Sequence, residues 1–190
     1  KTEHLIRQFI QNNFLLIVFV LTNVINSTVL RFFCMKSVEN YLSVKAILAD
    51  TVVAMFIGSF SFLFKPKNRF TYLLSFSIFL TLICIINSVY YTFYTSFASV
   101  SMISLTQYIS DVGDAVVENV FQLKDLVYIF APIVMIVVTR KLTKKNYFKK
   151  VEVKSTRKKK MITTLSIAGV IAIFFFATMT SVDISRLIKQ

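Results

Sequence analysis

The chain has 190 residues, 56% of them hydrophobic and only 16% charged, with 20 Phe, no Trp and a formal net charge of +13. Its mean hydropathy is +0.69; a soluble surface cannot be assembled from such a stock, so the composition is that of a membrane protein. The positive charge does not point to nucleic acid, because Lys and Arg are confined to short segments between apolar runs, with no aromatic side chains interleaved on a polar face.

Residues 1–13 carry Leu5, Ile6, Phe9 and Ile10 at spacings of three and four, which predicts a short amphipathic helix on the inner surface of a membrane. His4, the one histidine, has only Glu3 beside it and reads as a solvated residue. Residues 14–33 are the first predicted span: at a rise of about 1.5 Å per residue they cover about 30 Å, the thickness of a hydrocarbon core. No small-residue cleavage pattern accompanies them, so the span reads as retained rather than as a cleaved signal. Its polar residues Asn23, Asn26 and Ser27 fall near one helical face, where such groups bond to a neighbouring helix.

A short external loop over residues 34–45 leads to the second span, residues 46–64, with Asp50 near its start and Gly58 and Ser59 as small residues for close helix approach. Lys65, Pro66, Lys67, Asn68 and Arg69 form a basic turn around a helix-stopping proline. Residues 72–91 are the third span, with Asn87 as its one strongly polar interior residue. In the external segment 92–122 apolar residues recur near a period of 3.6, with Gly113 as a break between Asp111 and Asp114; the pattern predicts two short helices at the outer interface. The fourth span, residues 123–139, opens with Lys124 and Asp125 and contains Pro132, read as a kink. A basic loop over residues 140–160 precedes the fifth span, residues 161–180, and residues 181–190 begin an external linker.

Orientation follows from charge. Residues 140–160 hold half of the 22 Lys and Arg, and short basic loops between spans stay in the cytoplasm. With Lys1, Arg7, Lys65, Lys67 and Arg69 on the same side, only Arg31, Lys36, Lys45, Lys124, Arg186 and Lys189 fall outside, whereas of the acids only Glu3 and Glu152 fall inside. Tyr41, Tyr72, Tyr90, Tyr91, Tyr94 and Tyr128 gather near the predicted interfaces, as an aromatic belt does. The fold class expected is an all-α bundle of five transmembrane helices, N-terminus inside and C-terminus outside.

No GxSxG, Walker, HExxH or Cys-His pattern is present, so no catalytic residue is assigned. Cys34 and Cys84 lack CxxC spacing and fall at different predicted depths, against a disulfide or metal site. Asp111, Asp114, Glu118 and Asp125 have the chemistry to hold a hard divalent cation, but such residues are more often helix caps and a solvated face. Arg31 and Asp50 intrude furthest into predicted spans, both about 5 Å below the outer boundary, on neighbouring antiparallel helices. In one reading Arg31 snorkels and Asp50 starts a helix; in the other Asp50 positions the guanidinium to hold the phosphate of an outer-leaflet lipid headgroup.

The order of spans and loops, together with Tyr90, Tyr91, Phe93 and Tyr94 at the exit of span three, the stretch 101–107, Val112-Gly113-Asp114 and Lys124-Asp125-Leu126, resembles the N-terminal membrane domain of the lipoteichoic acid synthase family of Gram-positive bacteria. The resemblance implies a multi-pass domain of the bacterial cell membrane. It would carry a C-terminal extracellular sulfatase-like domain that transfers glycerol phosphate from phosphatidylglycerol to a growing polymer on a glycolipid anchor. It assigns the nucleophile and a divalent metal, manganese or magnesium, to that extracellular domain, and makes membrane lipids the partners of this one. Tyr90, Tyr91, Asp111, Asp114, Lys124 and Asp125 become candidate residues of the external interfacial segment. A transporter would call for charges or broken helices at the midplane and an internal repeat, which the five unequal spans do not show. A purely structural anchor would need apolar spans alone.

Overall fold

The computed structural model describes residues 2–35, 42–94, 123–144 and 154–178, and they are helical apart from short connections. Helix α1 is Thr2–Cys34, α2 Val44–Ser59, α3 Pro66–Tyr94, α4 Phe130–Lys144 and α5 Lys154–Ala177, with short 3-10 helices at Phe60–Leu63 and Leu123–Ile129. Among the described residues five segments are long and apolar enough to cross a membrane: Asn13–Cys34, Val44–Leu63, Asn68–Thr92, Lys124–Thr143 and Thr156–Ala177.

Helix α1 departs from the sequence expectation at its start. Its 33 residues run unbroken, about 50 Å, so the N-terminal segment continues the first span instead of forming a separate helix along the surface. The reason is local: the segment holds no Gly or Pro, and the two Asn at positions 12 and 13 are not enough to end a helix that an apolar run then extends. The same holds for the basic stretch. Residues 140–144 finish α4 and residues 154–160 start α5, because Lys and Arg are good helix formers and cations favour a helix C-terminus such as that of α4. Of the predicted basic loop only residues 145–153 lie outside the described residues, as do residues 95–122 with the two expected interfacial helices.

The connection from α2 to α3 shows what proline dictates. The α2 spiral tightens into the 3-10 turn Phe60–Leu63, Phe64 is extended (φ −86°, ψ 157°), and Pro66 opens α3 where a missing N–H costs nothing. Asn68 and Arg69 donate their backbone N–H to the Lys65 carbonyl at 2.9 and 3.0 Å. At this basic end Arg69 is buried with its guanidinium 4.5 Å from the Phe62 ring centroid, a cation-π contact, and Arg157 Nη1 donates to the Leu63 carbonyl at 3.3 Å, tying α5 to the turn.

Helix α1 is the hub. It packs against α2, α3 and α4, whereas α5 rests on α2 and the 3-10 turn that follows it. Accordingly 44% of the apolar window of α1 is buried against 11% of that of α5. Leu15, Phe19, Ala54, Leu73 and Met135 form the core towards the basic end. There α1 and α2 approach closely: a Cβ on Gly58 would collide with the Leu16 side chain and touch the Phe19 ring. Towards the opposite end Leu30, Cys34, Cys84 and Tyr128 form a second cluster. Both cysteines are free, and they share this cluster, not the separate depths expected. Helix α1 ends at Cys34, so Cys34 sits inside the bundle and not in the loop beyond it.

The bundle is apolar outside and partly polar within. Leu21, Ile25, Phe79, Ile86, Val137 and Ile173 are exposed, while Ser59, Ser61, Ser77, Ser88, Asn26 and Asp125 are buried. That inversion is the packing expected in lipid, where helices gain little from hiding Leu and more from small and hydrogen-bonding side chains.

Candidate functional site

Arg31 stands one turn before the end of α1 and Asp50 in the second turn of α2. The structure joins them: Arg31 Nη1 lies 2.5 Å from Asp50 Oδ2. The same nitrogen donates to Ser27 Oγ at 3.1 Å and Nη2 donates to Thr28 Oγ1 at 3.2 Å. Ser27 and Thr28 are four and three residues before Arg31, so the helix itself stacks two hydroxyls beneath the guanidinium. Arg31 is 8% exposed, a position where a lone charge is costly and a paired, hydrogen-bonded one is tolerated. The Arg31 head is thus turned back along α1 and paired, and Asp50 does more than begin a helix.

The pair borders a cavity of about 350 Å³ between α1, α2 and α3. The helices α2 and α3 both line it. They are held together at the basic end, where Tyr72 Oη donates to the Ile57 carbonyl at 3.1 Å and the Tyr72 and Phe64 rings lie 5.1 Å apart. Further along, the side chains of both helices line the cavity with α1 as its floor. From α1 come Asn23, Ser27, Leu30 and Arg31, a stripe in which Asn23, Ser27 and Arg31 are spaced by four and share one face. From α2 come Asp50, Val53 and Ala54; from α3, Leu80, Ile83, Cys84 and Asn87. Asn23 is buried, its Nδ2 donates to the Phe19 carbonyl at 2.7 Å, and its Oδ1 has no hydrogen-bond partner among the described residues. Asn87 donates to the Ile83 carbonyl at 2.9 Å.

Beside the cavity a second polar network fastens α4 to the hub. Pro132 lies within the spanning segment Lys124–Thr143, in the first turn of α4 directly after a 3-10 segment, and deprives the Tyr128 carbonyl of its helical donor four residues on. Asn26 Nδ2 fills that place at 2.7 Å, and Thr81 Oγ1 approaches the same oxygen at 3.4 Å. Asp125, expected on a solvated face or as a metal ligand, is 1% exposed and accepts from Ser88 Oγ at 2.6 Å. Tyr128 Oη donates to the same Ser88 oxygen at 3.4 Å.

Of the other sequence candidates, Tyr91 packs against the Leu30 and Tyr128 cluster, Tyr90 is half-buried on the last turns of α3, and Lys124 is half-buried at the start of the 3-10 segment. Asp111, Asp114 and Glu118 lie outside the described residues. Among the described residues no three His, Cys, Asp or Glu side chains gather as a metal site would require. Ser88 and the Tyr128 carbonyl were missed from sequence; the one signal for the latter was Pro132, which frees whatever carbonyl stands four residues before it.

Among curated proteins and among solved structures nothing matches the chain. A family model described as the lipoteichoic acid synthase N-terminal domain matches residues 2–190, all of the chain except its first residue. With five apolar helices of spanning length arranged polar side inward, and that match across the sequence, the chain belongs to the lipoteichoic acid synthase N-terminal domain family.

Proposed function

We propose that this domain anchors and positions an extracellular glycerol phosphate transferase domain at the outer leaflet, close to phosphatidylglycerol and the glycolipid-anchored polymer. The observation that carries the reading is the family match over residues 2–190; the five helices of spanning length among the described residues support a chain whose two ends lie on opposite sides of a membrane. The basic end, with Lys65, Arg69, Arg140, Lys141 and residues 157–160, takes the cytoplasmic side, which turns Arg31, Asp50 and Asp125 towards the outside. The chemistry of transfer, and the divalent metal it uses, belong to the extracellular domain; the part of this chain is to hold that domain and its lipids in register.

Positioning and mere anchoring differ in outcome. In a full-length synthase, an unrelated membrane anchor of the same orientation in place of this bundle should abolish polymer synthesis while the extracellular domain is still displayed at normal level, detected by surface proteolysis. Synthesis at the parental rate would mean that the bundle is only a tether.

A further inference from the structure

The cavity between α1, α2 and α3 is flanked by apolar side chains that are themselves exposed on the outside of the bundle: Val53 is 51% and Ile83 38% exposed. With the bundle in a membrane this apolar flank faces the hydrocarbon phase, which gives a lipid a direct way in. Its polar head would meet a polar stripe of α1 that runs from Arg31, about 5 Å from the end of the helix, to Asn23, about 12 Å further in, with apolar walls on either side. The volume, about 350 Å³, is within the roughly 300–1,000 Å³ of small-molecule sites, which are mainly apolar with a few placed polar groups.

The polar groups specify the head. Arg31 has its charge answered by Asp50 and its nitrogens engaged by Ser27 and Thr28, so the pair presents no net charge to an anion. What the cavity still offers is acceptors. Asn23 Oδ1 is buried without a donor among the described residues, and the Asp50 carboxylate, 26% exposed, gives Oδ2 to Arg31 while a carboxylate has about four acceptor positions in all. A buried acceptor left empty costs about 1–3 kcal/mol, which a donor restores. A phosphate diester brings only acceptors and further negative charge; a hydroxyl brings a donor and no charge.

We infer that this cavity is a binding site for a lipid whose head is a free, uncharged hydroxyl, a diacylglycerol, with its chains along Leu30, Val53, Leu80 and Ile83 and its one hydroxyl proton donated to Asn23 Oδ1. The site stands on the membrane placement of the bundle alone, and is independent of any role in positioning a catalytic domain.

The test uses the 190-residue chain in phosphatidylcholine nanodiscs with three probes: dioleoylglycerol, its 3-O-methyl ether, which keeps the shape and lacks the donor, and dioleoyl-phosphatidic acid. Native mass spectrometry after ejection from the disc should retain dioleoylglycerol about tenfold more than the ether, the worth of one hydrogen bond to a charged or orphaned acceptor. Phosphatidic acid should be retained less than dioleoylglycerol. Asn23→Leu should remove the preference for dioleoylglycerol over the ether. Val53→Trp, at an exposed wall position that leaves every polar group in place, should displace both glycerolipids. Equal retention of alcohol and ether overturns the hydroxyl site and leaves an apolar crevice. Stronger retention of phosphatidic acid overturns it in favour of a phosphate held by Arg31. Either failure leaves the replacement-anchor experiment untouched, and loss of polymer synthesis there does not bear on this site.

Discussion

At the residue scale the bundle depends on side chains that answer backbone or charge left open elsewhere. Asn26 and Pro132 are on different helices, yet the second creates the need that the first meets at the Tyr128 carbonyl. Asn26→Leu should therefore lower stability by about 1–2 kcal/mol, and most of that loss should vanish in a Pro132→Ala background, where the alanine supplies the missing N–H. A double-mutant cycle by denaturant unfolding in detergent micelles checks this, and additive effects would show that the two residues act apart. Arg31 and Asp50 give the matching case for charge: Asp50→Leu should cost about 3–5 kcal/mol by stranding a buried guanidinium, and Arg31→Met combined with it should recover most of the loss. The pair was legible in the sequence because helix rise and a short loop place both residues at one depth on adjacent helices. The Ser88 bond to Asp125 was not, since a serine and an aspartate 37 positions apart meet only once the packing of α3 against the 3-10 segment is known.

At the scale of elements, helix identity could be read from hydropathy, but helix ends could not. Apolar runs marked the spans; in α1, α4 and α5 the polar and basic flanks then continued the helix because nothing in them breaks it. The two prolines had opposite legibility. Pro66, read as a helix stop within a turn, both follows the end of one helix and opens the next, whereas Pro132, flanked by apolar residues on both sides, gave no sign that the helix before it had already tightened to 3-10. Gly58 was legible as a contact point but not its partner, Leu16. Gly58→Ala should be tolerated with a cost below about 1.5 kcal/mol, since the colliding Leu16 methyl can rotate away, whereas Gly58→Leu should cost about 1–3 kcal/mol or more by forcing α1 and α2 apart. Thermal unfolding of the two variants followed by circular dichroism, with the parent alongside, ranks them; equal midpoints would remove Gly58 from the packing argument.

At the scale of the whole molecule, charge supplies an expectation of orientation that is open to direct measurement. Single cysteines at Ser155 and Ser99, in a Cys34→Ala, Cys84→Ala background, should label oppositely with a membrane-impermeant thiol reagent on intact cells: Ser99→Cys from outside, Ser155→Cys only after lysis. The reverse pattern would invert the bundle. Helix α5, held by α2 and one turn, should also be the first element to loosen. Its buried small residues Thr164 and Ala168 mark the seam, so Ala168→Phe should raise proteolysis at α5 before the other four helices are affected.

The open carbonyl at Tyr128 also bears on the order in which the chain is made. Asn26 and Thr81, its two donors, precede it by 102 and 47 positions, so both have left the ribosome before Pro132 is joined. When the fourth span leaves the translocon its uncapped oxygen thus meets partners already resident in the bilayer, and the defect that proline introduces becomes a docking signal for the helix that carries it.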